Sequence, residues 1–408
     1  MKILMSAYAC EPKTGSEPGI GWNIVREVAR YHEVWVLTRI AHQAAIEAEL
    51  SSNPVPNLHF IYFDPFGWTN DWKKNNRGIQ LHYYLWQIWA YFVAQRLHRQ
   101  IHLDFAQHVT YGRYWGFSLL VLLPIPFVLG PVGGGEFTPK TFLKDFSFRG
   151  KIYETVRDIV QFISERDPLV RLTAKKTALA LATTKETADR LQGLAVKNIQ
   201  VFSNVGLPEE EIEHLAQYEM PKTESVKFIS IGRLLHWKGF HLGLKAFALA
   251  KIEKAEYWIV GDGPERQRLE VIAQELGIAE KVHFWGGLPR SETLRKMQES
   301  HVLVHPSIHE SGGWVCLEMM AAGRTVICLD LGGPAMLVSE ETGVKVPAHT
   351  PEQAVQDIAD AMVRLSKDSE LRWQMGQAAK RKVRIEPFSW KAKGQHLSLS
   401  YQELFNNV

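Results

Sequence analysis

The sequence predicts an α/β protein built from two doubly wound parallel sheets. Short β-rich runs alternate with helical spacing along nearly the whole chain. Those runs are apolar on both sides, as strands covered on both faces of a parallel sheet must be. The alternation is interrupted at Asn204-Val205-Gly206-Leu207-Pro208, followed by the acidic Glu209-Glu210-Glu211 and a polar stretch to Glu224, which reads as a joint between domains. An N-terminal domain is therefore expected over 1–205 and a C-terminal domain over 222–386, with a last helix at about 388–408 placed to pack back on the first.

Taken in order, residues 2–7 open with a strand. Ile20, Ile24, Val25, Val28 and Ala29 then recur at helical spacing. Further strands are expected at 34–38, 59–63, 105–109, 126–130 and 179–183. In the second half strands are expected at 226–231, 257–260, 282–285, 302–305, 325–328 and 343–346, with helices between them, among them 239–250, 265–276 and 351–365. Ligands of such sheets bind beyond the C-terminal ends of the strands. A cleft between two facing sheets is thus the expected seat of the chemistry.

Composition narrows the class. A length of 408 residues fits two or three domains of roughly 100–200 residues each. With 46% hydrophobic and 22% charged residues, the chain is not dominated by disorder. Its cysteines are Cys10, Cys316 and Cys328; so sparse and odd a set excludes a disulfide framework and a paired-cysteine zinc site, and suits a reducing compartment. The apolar start at 1–5 is broken by Ser6 and Glu11, which is not the pattern of a secretory signal. The longest apolar stretch, 117–130, contains Pro124 and Pro126 and falls short of the roughly 20 residues of a spanning helix. A cytoplasmic protein, soluble or peripheral on the inner face of the membrane, is expected. The net charge of +3 conceals a split: residues 1–200 hold 23 Lys+Arg against 17 Asp+Glu, residues 201–408 hold 24 against 27. A basic first half suits an anionic partner, although ordinary surface variation gives the same split.

Five segments carry candidate chemistry. Gly15-Ser16-Glu17-Pro18-Gly19-Ile20-Gly21 follows a strand and opens a helix; it is either a phosphate-holding helix start or a tight turn. It lacks the third glycine of a dinucleotide fingerprint and the Gly-Lys-Ser/Thr of an NTPase loop. Gly130-Pro131-Val132-Gly133-Gly134-Gly135-Glu136 also follows a strand, and its glycines allow close backbone approach to a ligand. Gly232-Arg233 with Lys238-Gly239 straddles a strand-to-helix turn, where Arg supplies a bidentate fork and Lys a point charge for a diphosphate. Gly261-Asp262-Gly263-Pro264 is a turn closed by Pro at a helix start. Finally, His309-Glu310-Ser311-Gly312-Gly313-Trp314-Val315-Cys316-Leu317-Glu318 sets two carboxylates eight residues apart around a helix start. Carboxylates accept from sugar hydroxyls, and free glycine N–H groups suit an anion or hydroxyl.

The last three segments, in this order and spacing, resemble glycosyltransferase family 4. The resemblance covers 226–346; Ser6-Ala7-Tyr8-Ala9-Cys10-Glu11-Pro12 and 130–136 look like a bacterial, often cyanobacterial, subgroup linked to exopolysaccharide or glycolipid synthesis. It implies the GT-B fold and transfer of a hexose from a UDP- or GDP-sugar to a saccharide or lipid-linked acceptor, with retention at the anomeric carbon. It further implies that Arg233 and Lys238 hold the donor diphosphate and that Glu318 binds the ribose. Glu310 would contact the donor sugar with N–H groups of Gly312, Gly313 and Trp314, beside Val315 and Gly261. His108 matches the family's histidine near the donor sugar, Gly19 would lie near the β-phosphate, and Gly133, Gly134, Gly135 and Glu136 are candidates on the acceptor side. The catalytic set expected is Glu310, His108, Arg233 and Lys238. The loop departs from the commoner Glu-Gly-Phe-Gly form, which leaves the hexose open. The leaving group is anionic, and stabilising it takes cations or a metal. No Asp-x-Asp stands at a strand end, so no metal and no cofactor is expected. An epimerase or phosphorylase of the same fold, or a nucleotide-sugar-binding module, are the alternatives.

One segment stands outside this scheme. Residues 66–102 interleave Trp68, Trp72, Tyr83, Tyr84, Trp86, Trp89, Tyr91 and Phe92 with Lys73, Lys74, Arg77, Arg96 and Arg99. A helix packed on its sheet, a peripheral membrane contact and a sugar-stacking surface all have this composition. Nucleic acid is not expected, because no reader motif or basic run supports it.

Overall fold

The computed structural model describes residues 1–65 and 78–406. The chain divides into two compact units: Met1–Gly135 with Ile159–Asn204 and Trp390–Val408, and Glu136–Asp158 with Val205–Ser389.

The first unit is a seven-stranded sheet. Its strands are β1 (Lys2–Ser6), β2 (Glu33–Thr38), β3 (Leu58–Tyr62), β4 (Phe105–His108), β5 (Phe127–Val132), β6 (Leu179–Ala182) and β7 (Ile199–Val201). They lie in the order β3-β2-β1-β4-β5-β6-β7, all parallel. Ile3, Leu4 and Met5 of the central β1 are fully buried, which is why this strand reads as a continuous apolar run. β7 was not expected from the sequence; it is a three-residue strand that ends the sheet beside β6 and contains the polar Gln200, too short and mixed to show a period. The helix Trp390–Asn406 packs against Ser16–Val28. Gly394 permits the approach, since a Cβ there would stand 2.6 Å from that of Glu27. Lys393 of the same helix donates to the Ser203 carbonyl, just past β7, at 2.7 Å.

The second unit is a six-stranded sheet of β8 (Val226–Ile231), β9 (Ala255–Val260), β10 (Val282–Gly286), β11 (Val302–His305), β12 (Thr325–Leu329) and β13 (Gly343–Val346). The order is β10-β9-β8-β11-β12-β13, again parallel. This is the strand order of a doubly wound nucleotide-binding sheet, and it reverses between β8 and β11. Helices Phe240–Ala250 and Pro351–Lys367 pack together beside it.

One expectation about the domains is corrected. The sequence places residues 136–158 in the N-terminal domain, but they belong to the second unit. Phe142 and Phe146 bury into the core that holds Phe228, Leu242 and Phe247, and Asp145 pairs with Lys245 at 2.7 Å. This apolar burial outweighs chain continuity, and no composition shift in the sequence marks it. The division falls within the helix Phe148–Ser164.

Candidate functional site

The candidate residues of the second unit gather where its strand order reverses. The loops after β8, β9 and β11 touch there through glycines. Gly261 has φ +138°, and a Cβ on it would lie 1.9 Å from the Gly232 carbonyl oxygen. Gly239 has φ +66°, and its missing side chain leaves room for the Pro306 carbonyl, 1.9 Å from where a Cβ would stand. Ile308 then donates its N–H to the Trp237 carbonyl at 2.8 Å. These backbone contacts fix Lys238 beside the loop that carries Glu310.

Lys238 Nζ lies 2.7 Å from Glu310 Oε2, and the same oxygen meets His305 Nε2 at 2.7 Å. Burial pushes the Glu310 carboxyl up, but the Lys238 ammonium and His305 outweigh it and hold the group well below the usual carboxylate range. Glu310 is therefore an ionised acceptor. Its backbone is fixed too, because its carbonyl accepts from Gly333 N at 2.8 Å. His305 was not among the sequence candidates. It ends β11 and is buried, and the only signal for it was a histidine at the C-terminal end of a strand. Arg233, by contrast, is exposed and has no ion-pair partner among the described residues. Downstream, the helix Trp314–Ala321 starts at Gly313, with φ +104° and no side-chain cap. Glycine at the cap position leaves the helix start without a capping side chain of its own. Trp314 and Val315 pack against the core behind it.

Glu318 sits in that helix, buried, with Arg290 NH1 at 2.6 Å. Arg290 also pairs with Glu211. Burial pushes the Glu318 carboxyl up to about 7; Arg290 opposes this and the Glu211 carboxylate adds to it. Glu211 comes from the acidic run that the sequence marks only as a joint, and Arg290 from the start of the helix Arg290–Glu299.

A second cluster adjoins Glu310 in sequence and was not foreseen. Glu154 accepts from His236 Nε2 at 2.8 Å and from His309 Nε2 at 3.1 Å. Burial pushes Glu154 up, but these bonds hold it below the ordinary range. The Trp237 ring stacks with Tyr153, 5.1 Å away, and with His309, 5.3 Å away. Glu136, expected on the acceptor side, belongs to the second unit, where its carboxylate accepts from Ser311 Oγ at 2.7 Å. No composition shift or motif in 136–158 marks it as a neighbour of the 309–311 loop.

The first unit holds the remaining candidates. His108 ends β4, is buried, and meets Tyr83 Oη at 3.1 Å through Nε2. Burial pushes its imidazole down to about 4, so it is neutral. Gly19 lies in the first turns of Ser16–Val28, where a Cβ would stand 2.0 Å from the Thr14 carbonyl oxygen. The backbone of Gly133 exchanges bonds with Gly112 and Tyr114; Gly134 packs under the Trp115 ring, and Gly135 packs against Thr187. Three glycines read as open to a ligand are thus in close contact with their own unit.

Of the aromatic segment, Trp68, Trp72, Lys73, Lys74 and Arg77 lie outside the described residues. The rest forms the helix Ile79–Ile101, whose Tyr83 and Trp86 enter the core while Tyr84 and Phe92 are exposed. Among the described residues no helix is long and apolar enough to cross a membrane, and no group of three His, Cys, Asp or Glu could hold a metal ion.

Residues 211–382 match the family of glycosyl transferases group 1. The D-inositol 3-phosphate glycosyltransferase of Corynebacterium jeikeium is 32% identical over 193 residues, 45% of this chain and 44% of that protein. The lipopolysaccharide core biosynthesis glycosyltransferase LpsD of Rhizobium meliloti is 29% identical over 178 residues, 44% of this chain and 48% of that protein. The chain thus spans less than half the length of these curated relatives. Solved structures resemble it over its full length. Sucrose-phosphate synthase from Thermosynechococcus elongatus has a TM-score of 0.65 at 17% identity, covering 100% of both chains. HepE of Anabaena in complex with UDP has 0.63 at 16%, covering 99% of this chain and 100% of that one. At such identities the likeness establishes the fold, that of two Rossmann-like α/β domains with GT-B neighbours.

Proposed function

We propose that the chain is a retaining hexosyltransferase that takes a UDP- or GDP-sugar and passes the sugar to a saccharide or lipid-linked acceptor. The observation that carries this reading is the Lys238–Glu310–His305 cluster at the reversal of the second sheet, with the glycine-opened helix start at Gly313 and Glu318 one turn further on. The match of 211–382 to the group 1 glycosyl transferases supports it, as does the neighbour solved with UDP and glucose.

In this reading Lys238 and the exposed Arg233 offset the charge that grows on the leaving diphosphate, and no metal is required. Glu310, fixed as an anion, accepts hydroxyls of the donor sugar, and Glu318 accepts those of the ribose. The acceptor hydroxyl attacks the anomeric carbon from the face that the diphosphate leaves. The new C–O bond forms as the old one breaks, the bonding pair departs with the diphosphate, and the hydroxyl proton passes to a phosphate oxygen. Glu310 is disfavoured as a nucleophile because one of its oxygens is already held by two donors. His108, neutral and buried, remains the candidate of the first unit.

A thermal-shift panel of UDP-, GDP- and ADP-sugars tests the reading. At a hundredfold excess over Kd, the true donor adds about 2.7 kcal/mol to stability and raises Tm by a few degrees. An unchanged Tm with all three would remove the donor site.

A further inference from the structure

The helix Phe148–Ser164 buries polar side chains and exposes apolar ones. Its buried positions are polar: Glu154 is 2% exposed and Gln161 5%, and Gln161 donates to the Gly134 carbonyl at 3.0 Å. Apolar side chains form one stripe of its exposed face, beside the polar Arg149, Lys151, Thr155 and Asp158. Phe148, Ile152, Val156, Ile159 and Ile163 are all exposed, Ile163 at 61%. Their spacing puts them in one stripe along the helix. Within the first unit the stripe runs on through the exposed Phe162 and Leu169. A stripe of this kind on a soluble surface marks an interaction site.

Beside it, in the same unit, lies a hollow of about 850 Å³ lined by Arg166, Arg171, Lys175, Arg190 and Lys197 against only Glu165 and Asp189. Glu165 is already engaged by Arg190 and Tyr114. The guanidinium of Arg166 lies 3.5 Å over the Phe162 ring, which joins the cationic hollow to the apolar stripe.

We infer that this face docks on an anionic lipid bilayer. The stripe enters the boundary between headgroups and acyl chains, and the hollow receives lipid phosphates. The charge selects this occupant. A second copy pairing through the same face would set two cationic hollows against each other, whereas an anionic surface complements them. The segment singled out by its aromatic residues, 66–102, is not the one invoked. Docking stands apart from sugar transfer, and vesicle binding is read without turnover, so the two readings fail separately.

The test is co-sedimentation of the full chain with vesicles of phosphatidylcholine alone or mixed with phosphatidylglycerol. The chain is expected to sediment with the mixed vesicles and to be released by salt. Ile159→Asp/Ile163→Asp and, separately, Arg171→Glu/Lys175→Glu should each weaken binding about tenfold or more, with melting temperatures that report folding. The charge-reversal pair keeps the test decisive should the aspartate pair fold poorly. Equal sedimentation with phosphatidylcholine alone overturns the inference, as does wild-type binding by a folded variant. So does self-association in solution, lost in the aspartate pair, without vesicle binding.

Discussion

Lys238→Ala is expected to lower the rate of sugar transfer about 10²–10³-fold, the usual consequence of deleting one preorganised group that stabilises developing negative charge. The ammonium has two tasks. It holds Glu310 as an anion at 2.7 Å, and its remaining protons are available to the leaving diphosphate. Both side chains of the pair are largely buried, so removing Lys238 leaves the Glu310 carboxylate with His305 as its remaining partner and costs stability as well, on the order of 3 kcal/mol. Rates measured on protein shown by circular dichroism to be folded separate the two effects. Lys238→Arg keeps the charge but not the point geometry, and should recover only part of the loss. Transfer by folded Lys238→Ala within threefold of wild type would remove Lys238 from the mechanism.

The second large effect is a pH dependence of stability. Glu318 titrates near its ordinary value in the unfolded chain and at about 7 in the fold. Below the unfolded value both states carry the proton and the group does not oppose folding. As the pH rises the unfolded chain releases its proton first, so stability is lost between about pH 4.5 and 7. The slope at its steepest is about 1.4 kcal/mol per pH unit. Glu318→Gln should flatten this part of the curve of urea midpoint against pH. Its ribose contact should weaken at the same time, so nucleotide binding falls while stability near neutral pH rises. An unaltered curve would show that Arg290, 2.6 Å away, keeps the carboxylate ionised throughout.

The fold was readable because its strands are buried on both faces. The runs at 226–231 and 302–305 gave their boundaries without error, and the spacing of Glu310 and Glu318 marked the loop and helix that carry them. Their partners were not readable. Arg290 lies 28 residues before Glu318 in the sequence, and Glu154 is brought to His236 and His309 by a segment that leaves one unit for the other in the middle of a helix. Such pairings depend on tertiary burial, which has no period. The glycine run 133–135 taught the reverse lesson. A glycine signals close approach, but here the approaching groups are Trp115 and Thr187.

Sugar transfer with retention is tested most directly by proton NMR of the product formed from a UDP- or GDP-sugar and a saccharide acceptor. The anomeric coupling of the new linkage should match that of the donor, with the nucleoside diphosphate released in equal amount. A product of inverted configuration, or consumption of the donor with no sugar on the acceptor, would contradict it.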